Sequence, residues 1–95
     1  MSKYPRKKVW QQIRKTVWQR DKGICHHCHK QVTLEEYHCD HIIPKSEQGS
    51  YDLDNLRTLC RRCHILRANS KHRGMIAKAL FDGIVPANWR ELVWE

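Results

Sequence analysis

Two Cys-x-x-Cys pairs constrain this chain more than anything else in it. Cys25-His26-His27-Cys28 and Cys60-Arg61-Arg62-Cys63 lie 31 residues apart. A two-residue gap lets both thiolates of one tight turn face the same cation, and two such turns complete a tetrahedral set of four sulfurs. Zn2+ favours that set, which leaves no open coordination position and so serves structure rather than chemistry. The pairs stand further apart than in a short zinc ribbon, so a hairpin and a loop must fit between them. The alternative, a pair of disulfides, suits an oxidising compartment. His26, His27 and His29 sit in or beside the first knuckle and are expected to be solvated or to lie just behind the ligands, because the four cysteines already complete the set.

Size explains why such a staple is needed. The chain has 95 residues, of which 40% are hydrophobic and 29% charged. A chain this short buries only about 60–70% of the surface exposed on unfolding, so its apolar core is thin. One domain over 1–95 is expected, with a basic N-terminal helix (6–20), a zinc-bound core (25–67) and a helical C-terminal extension (75–95). No apolar run approaches the ~20 residues of a membrane span, and no apolar stretch of a secretory signal follows the basic start. The expected compartment is the cytoplasm, where thiols stay reduced.

The formal charge is +8, unevenly placed. Residues 1–22 carry eight Lys or Arg against one acid, and residues 57–78 carry seven against none; the segment between them is net acidic. Two basic blocks suit a polyanion. Arg6, Lys7, Lys8, Arg14 and Lys15 on the first helix, and Arg61, Arg62 and Arg67 further on, are the expected contacts to a nucleic-acid backbone.

Val9, Ile13 and Val17 recur every four residues, with Trp10 and Trp18 widening the stripe, which predicts the helix over 6–20. Trp10 and Trp18 are expected in the core rather than stacked on bases. Gly23 is a natural left-handed cap. Residues 31–43 are rich in β-formers and read as two short strands around Glu35-Glu36, the second over Tyr37–Ile43 and ended by Pro44. Residues 45–54 read as a polar loop, Arg61–Arg73 as a helix stopped by Gly74, and Met75–Phe81 as another. Residues 87–94 are expected to turn back, with Trp89, Leu92, Val93 and Trp94 against the core.

The stretch Tyr37-His38-Cys39-Asp40-His41-Ile42-Ile43-Pro44 is chemically dense. Alternation on a strand puts His38 and Asp40 on one face and Cys39 and His41 on the other. A break in alternation near the strand end would let Asp40 and His41 serve one site. Asn55-Leu56 follows, and His64 comes directly after Cys63, at the start of a zinc-anchored helix whose N-terminus would favour an anion. Cys39 reads as a small buried hydrophobe, His38 as a strand residue, and His72 as exposed.

Asp-His-Ile-Ile-Pro, then Asn-Leu-x-x-Leu-Cys-x-x-Cys-His, framed by two zinc knuckles, resembles the HNH endonucleases of the small, free-standing phage and bacterial type. The likeness runs from Cys25 to about Arg67. It implies a small α+β fold, the ββα-metal motif with a treble-clef-like four-cysteine zinc site and flanking helices. It implies a metal-dependent DNA endonuclease; the second reading is a non-cleaving zinc-finger nucleic-acid-binding module. Residue by residue, His41 matches the general base, Asp40 and His64 the ligands of one catalytic divalent cation (Mg2+, Mn2+, Ni2+ or Zn2+), and Asn55 the residue that orients the base or its loop. The implied partners are DNA and other DNA-processing proteins of a phage or its host. Three departures stand out: Gly49-Ser50 replaces a Gly-Gly turn, Arg67 stands where Lys is common, and Cys39 where an apolar residue is common.

Overall fold

The computed structural model describes residues 5–67 and 73–95. Its elements are α1 (Lys7–Arg20), β1 (His38–His41), β2 (Leu56–Leu59), α2 (Arg61–Ile65) and α3 (Arg73–Phe81), with short 3-10 turns at Lys45–Glu47, Leu53–Asn55 and Trp89–Leu92. This is the small α+β architecture expected.

Helix α1 follows Pro5, whose fixed φ suits a helix entry. Its inward stripe is shorter than the spacing suggests: Val17 is fully buried, whereas Val9 is half exposed. The Trp18 indole N–H donates to the carbonyl of Val32 at 3.0 Å, tying α1 to the segment after the first knuckle. The helix stops at Gly23, which has φ +66° and donates its N–H to Trp18 at 2.9 Å. A left-handed cap at that position is the glycine role expected.

β1 and β2 form a two-stranded antiparallel sheet in which His38 faces Leu59 and His41 faces Leu56. The expected hairpin within 31–43 is thus corrected. Residues 34–36 are a turn, Gln31 makes only an isolated bridge to Ile24, and β1 takes its partner from beyond the polar loop. Burial decides this. Leu56, Thr58 and Leu59 are at most 1% exposed, so pairing at 56–59 seals the sheet against the core, which pairing with the exposed 31–36 stretch would not do. Both strands touch α1 and α2.

Helix α2 ends at Ile65, well short of the expected Arg73. Its terminal carbonyls are claimed by the end of the chain: Trp94 donates its indole N–H to Cys63 at 2.7 Å and its backbone N–H to Leu66 at 3.1 Å. Unsatisfied C-terminal carbonyls normally need such partners. The expected continuation over 68–72, including His72, lies outside the described residues, and Gly74 falls inside α3 rather than stopping a helix. Of the C-terminal apolar residues, Trp89 and Trp94 pack inward while Leu92 and Val93 stay more than one-third exposed.

The core has two parts. One gathers Cys25, Leu59, Cys60 and Cys63, and the other Ile65, Leu66, Ala79 and Val85, with Trp94 against both. Asp21, just past α1, ties the first part down from outside. It accepts from Arg20, from His26 Nε2 at 3.1 Å and from the Thr58 N–H at 3.0 Å. Burial alone would raise its carboxyl; those donors overcome it and hold the group at about 2. No helix among the described residues is long and apolar enough to cross a membrane.

Candidate active site and metal centre

The four cysteines of the two pairs come together. Ligand atoms of Cys25, Cys28, Cys60 and Cys63 all lie within 4.8 Å of one another, and Cys28 Sγ is 3.7 Å from Cys60 Sγ. This donor set fits a metal ion held by four sulfurs, and it is the sole cluster of that kind among the described residues. Its surroundings also suit thiolate. Burial works against ionising Cys25, yet backbone N–H groups of Cys28, Cys60 and His27 donate to its sulfur and bring it down to about 7. Cys63, by contrast, is pushed far up by burial and by its cysteine neighbours, a cost that a bound cation would reverse. Cys39 is outside the cluster, half-buried on β1. His27, though exposed, stacks on Trp94 with ring centroids 3.9 Å apart.

The two faces of β1 carry different chemistry, because alternation persists to the strand end. Asp40 points toward α2 and is 3% exposed. Arg57 Nε donates to Oδ2 at 2.8 Å, and Arg67 Nη1 donates to Oδ1 at 2.9 Å and to Oδ2 at 3.0 Å. A carboxylate offers about two lone-pair positions per oxygen. Three are used by guanidinium groups, and the fourth, on Oδ1, belongs to the oxygen 3.7 Å from His64 Nε2. That separation is too long for a hydrogen bond, yet it suits two ligand atoms sharing one divalent cation at about 2.0–2.2 Å each. On the other edge of the ring, His64 Nδ1 lies 2.8 Å from His38 Nδ1.

Arg67 is the part of this site that sequence reasoning misplaced. It is 7% exposed and spends its donors internally, on Asp40, on the carbonyls of His41 (2.6 Å) and Ile42 (2.5 Å), and on Glu95 (2.6 Å). It is therefore a brace for the end of β1, not a free phosphate contact. Arg57 does similar work, bridging Asp40 and Glu95, each at 2.8 Å. Truncating Arg67 to leucine would leave Asp40 and two carbonyls short of donors in a buried place. Breaking one side of a buried pair costs about 3–5 kcal/mol. Urea denaturation of Arg67→Leu should show a loss in that range, whereas a loss below about 1 kcal/mol, the scale of an exposed pair, would contradict the brace.

His41 faces α1 instead. Its ring stacks on Trp10 (centroids 6.3 Å apart) and meets Tyr51 edge-on at 4.8 Å, with Trp10 and Tyr51 themselves perpendicular at 5.4 Å. Trp10 thus supports a site histidine, a role its position in an apolar stripe did not reveal. Burial pushes the His41 imidazole below its ordinary value, and the nearby Lys45 ammonium adds to that. Its Nε2 is buried and has no hydrogen-bond partner among the described residues. Buried polar atoms are seldom left so, and an exception at a histidine in this setting points to chemistry.

Asn55 makes its side-chain hydrogen bonds to the loop that follows His41. Its Oδ1 accepts from the Ile43 N–H at 2.8 Å, and its Nδ2 donates to the carbonyls of Ser50 (2.8 Å) and Ile43 (3.3 Å). Gly49 closes the same loop. A Cβ there would sit 1.6 Å from the Ile43 carbonyl oxygen, so no other residue fits without opening the turn.

The remaining expected contacts divide in two. Arg6, Lys7, Lys8, Lys15 and Arg62 are exposed. Arg14 is turned inward, donating to the carbonyls of Leu34 (3.3 Å) and Tyr37 (3.1 Å) and lying over the Tyr37 ring, so it is not available as a free cation. Arg61 pairs with Asp82 at 2.9 Å. Helix α2 has only five residues, with His64 fourth among them, and the N–H of Cys63 is directed at Cys60 Sγ. The expectation of an anion-binding helix start next to His64 is thereby withdrawn.

The family described as "HNH endonuclease" matches residues 24–70. That span holds both cysteine pairs, all of β1 and β2, and His64. A protein of Lactococcus phage SK1, named "Probable HNH endonuclease", is 34% identical over 74 residues, covering 72% of this chain and 78% of the phage protein. Cysteine cluster, paired strands and matched span agree, and the chain belongs to the HNH endonuclease family.

Proposed function

We propose that this chain is a metal-dependent DNA endonuclease. The observation that carries the reading is the division of labour at the end of β1. One face offers a neutral, half-buried histidine with an unpartnered nitrogen, and the other offers a carboxylate oxygen and an imidazole nitrogen spaced for one cation. Phosphodiester hydrolysis needs a base for the attacking water and relief of negative charge at phosphorus and the leaving oxygen. His41 is the general base and takes the water's proton at Nε2. Asp40 and His64 hold the cation. A divalent ion there supplies charge relief and leaves positions open for phosphate. The scissile phosphate lies across the strand end, because the two groups flank it from opposite faces.

The other residues serve these. Asn55 and Gly49 fix the loop after His41, and Arg57 and Arg67 seat Asp40 with one lone-pair position left over. Zinc in the four-cysteine cluster holds β2 and α2 to the first knuckle. Arg6, Lys7, Lys8 and Lys15 on α1, with Arg62 on α2, follow the phosphates, each neutralised phosphate adding counterion release and salt dependence. Among the described residues no element offers a reader of base edges, so cleavage is expected to depend weakly on sequence.

One observation favours the second reading. Asp40 is nearly inaccessible and already holds two guanidinium groups, as a purely structural ion pair would. On that reading the chain is a non-cleaving zinc-bound nucleic-acid module. Incubation with supercoiled plasmid separates the two. The nuclease reading expects nicked or linear product with Mg2+, Mn2+ or Ni2+ and none in EDTA. Retained DNA binding with no cleavage under any divalent ion establishes the module instead.

A further inference from the structure

Glu95 is the outermost of four charged side chains packed at the end of β1. Its Oε2 accepts from two guanidinium groups at once, from Arg57 Nη2 at 2.8 Å and from Arg67 Nε at 2.6 Å. The same two groups turn their other donors to Asp40. Exposure falls inward across the cluster: the Glu95 side chain is 38% exposed, Arg57 12%, Arg67 6% and Asp40 4%. We propose that Glu95 is a positioning residue for Asp40: it takes up donors of Arg57 and Arg67 that would otherwise turn to Asp40, and so leaves Asp40 Oδ1 one position that no guanidinium fills.

Glu95 is put there by its neighbour. Trp94 is tied to α2 through Cys63 and Leu66, its ring stacks on His27, and the Arg57 guanidinium lies over it 5.2 Å from the centroid. Glu95 follows directly and lands between the two guanidinium groups. Asp40 then carries one hydrogen bond on Oδ1 and two on Oδ2. Without a carboxylate at 95, Arg57 Nη2 and Arg67 Nε would be donors with little access to water, and a buried donor without an acceptor is costly. Asp40 is the carboxylate of the cluster that remains, and a guanidinium that slid toward it would fill the open position on Oδ1. Charge acts in the same direction. Two cations would face one carboxylate, and that surplus repels a divalent ion. Glu95 offsets it, because Arg57 and Arg67 hold its carboxyl below the ordinary range. The service to a cation rests on the nuclease reading above; the placement of Arg57 and Arg67 does not.

The test reads both. Glu95→Gln keeps the shape of the side chain and loses its charge. In zinc-loaded protein without any other divalent ion, Arg57 Nε–H is the reporter, since it bonds Asp40 and not Glu95. In Glu95→Gln its nitrogen-15 resonance should shift, and its hydrogen should exchange with solvent several-fold faster. Mn2+ titration of the same variant should show affinity lower by about 10–100-fold, the usual cost of losing a partner behind a metal ligand. Glu95→Asp keeps the charge on a shorter arm and should lose less of both. Zinc content and far-UV circular dichroism confirm folding of each variant. An Arg57 Nε–H indifferent to Glu95→Gln, equal Mn2+ affinity in parent and Glu95→Gln, or a Glu95→Asp as impaired as Glu95→Gln overturns the proposal. If Glu95→Gln displaces Arg57 as expected but the parent binds no Mn2+, the placement stands and the nuclease reading alone fails.

Discussion

Replacing His41 with alanine should lower plasmid cleavage by about 10²–10⁴-fold, the usual contribution of a positioned general base. Zinc content and DNA affinity should stay near those of the parent, because His41 belongs neither to the cysteine cluster nor to the exposed Arg and Lys residues assigned to the phosphates. His41→Gln removes the base while keeping a polar side chain of similar reach between Trp10 and Tyr51, so its loss should be of the same order. Equal cleavage by parent and variants would remove His41 from the chemistry. The pH profile gives an independent check. A general base works when neutral, so kcat/KM falls as pH drops through its pKa. Burial lowers that pKa in His41, and the acid limb of the profile should therefore lie below about 6.5, the ordinary value for histidine. Residual activity in His41→Ala should lack this limb.

Stripping the metal from the four-cysteine cluster should unfold the protein. Structural Zn2+ contributes about 10–16 kcal/mol of apparent free energy in small finger peptides at neutral pH. Whole domains are stable by only about 5–15 kcal/mol. Here the cluster forms one of the two parts of the core, and the other, Ile65, Leu66, Ala79 and Val85, is small. Chelation, or Cys60→Ser, should abolish the cooperative transition and most helical circular dichroism. Metal analysis of the native protein should give one tightly held zinc per chain. Cys39→Ala should keep that zinc, since Cys39 lies outside the cluster. A folded, cooperative, zinc-free protein would sink this view.

The parts legible in the sequence are those set by local spacing. Cys-x-x-Cys announces a knuckle because two thiols two residues apart must face one way. Helix α1 and Gly23 follow from periodicity and from the need for positive φ. The same logic placed His38 and Asp40 on one face of a strand and Cys39 and His41 on the other. What could not be read depends on distant partners. Leu56-Arg57-Thr58-Leu59 has little β-propensity and becomes a strand because burial rewards it. Helix α2 stops early because Trp94, some thirty residues on, takes its carbonyls. Arg67 and Arg14 look identical to solvent-facing bases until their acceptors are known. Trp10 is one more apolar residue of a helix stripe until Tyr51 and His41 arrive beside it. The resemblance to the family supplied the candidate roles of Asp40, His41, Asn55 and His64, but not the guanidinium pair around Asp40 or the contact from His38.

The partition of β1 has a consequence for how such an enzyme can change. Trp10 and Tyr51 reach the His41 ring from one side, while Arg57 and Arg67 reach Asp40 from the other, with His64 beside them. Residues that share no partner tend to combine additively, and residues joined in one network do not. Arg67 joins the two faces, because it bonds Asp40 and the His41 carbonyl. Substitutions at Trp10 or Tyr51 should therefore combine with little epistasis with those at Arg57, whereas a change at Arg67 should be felt on both sides.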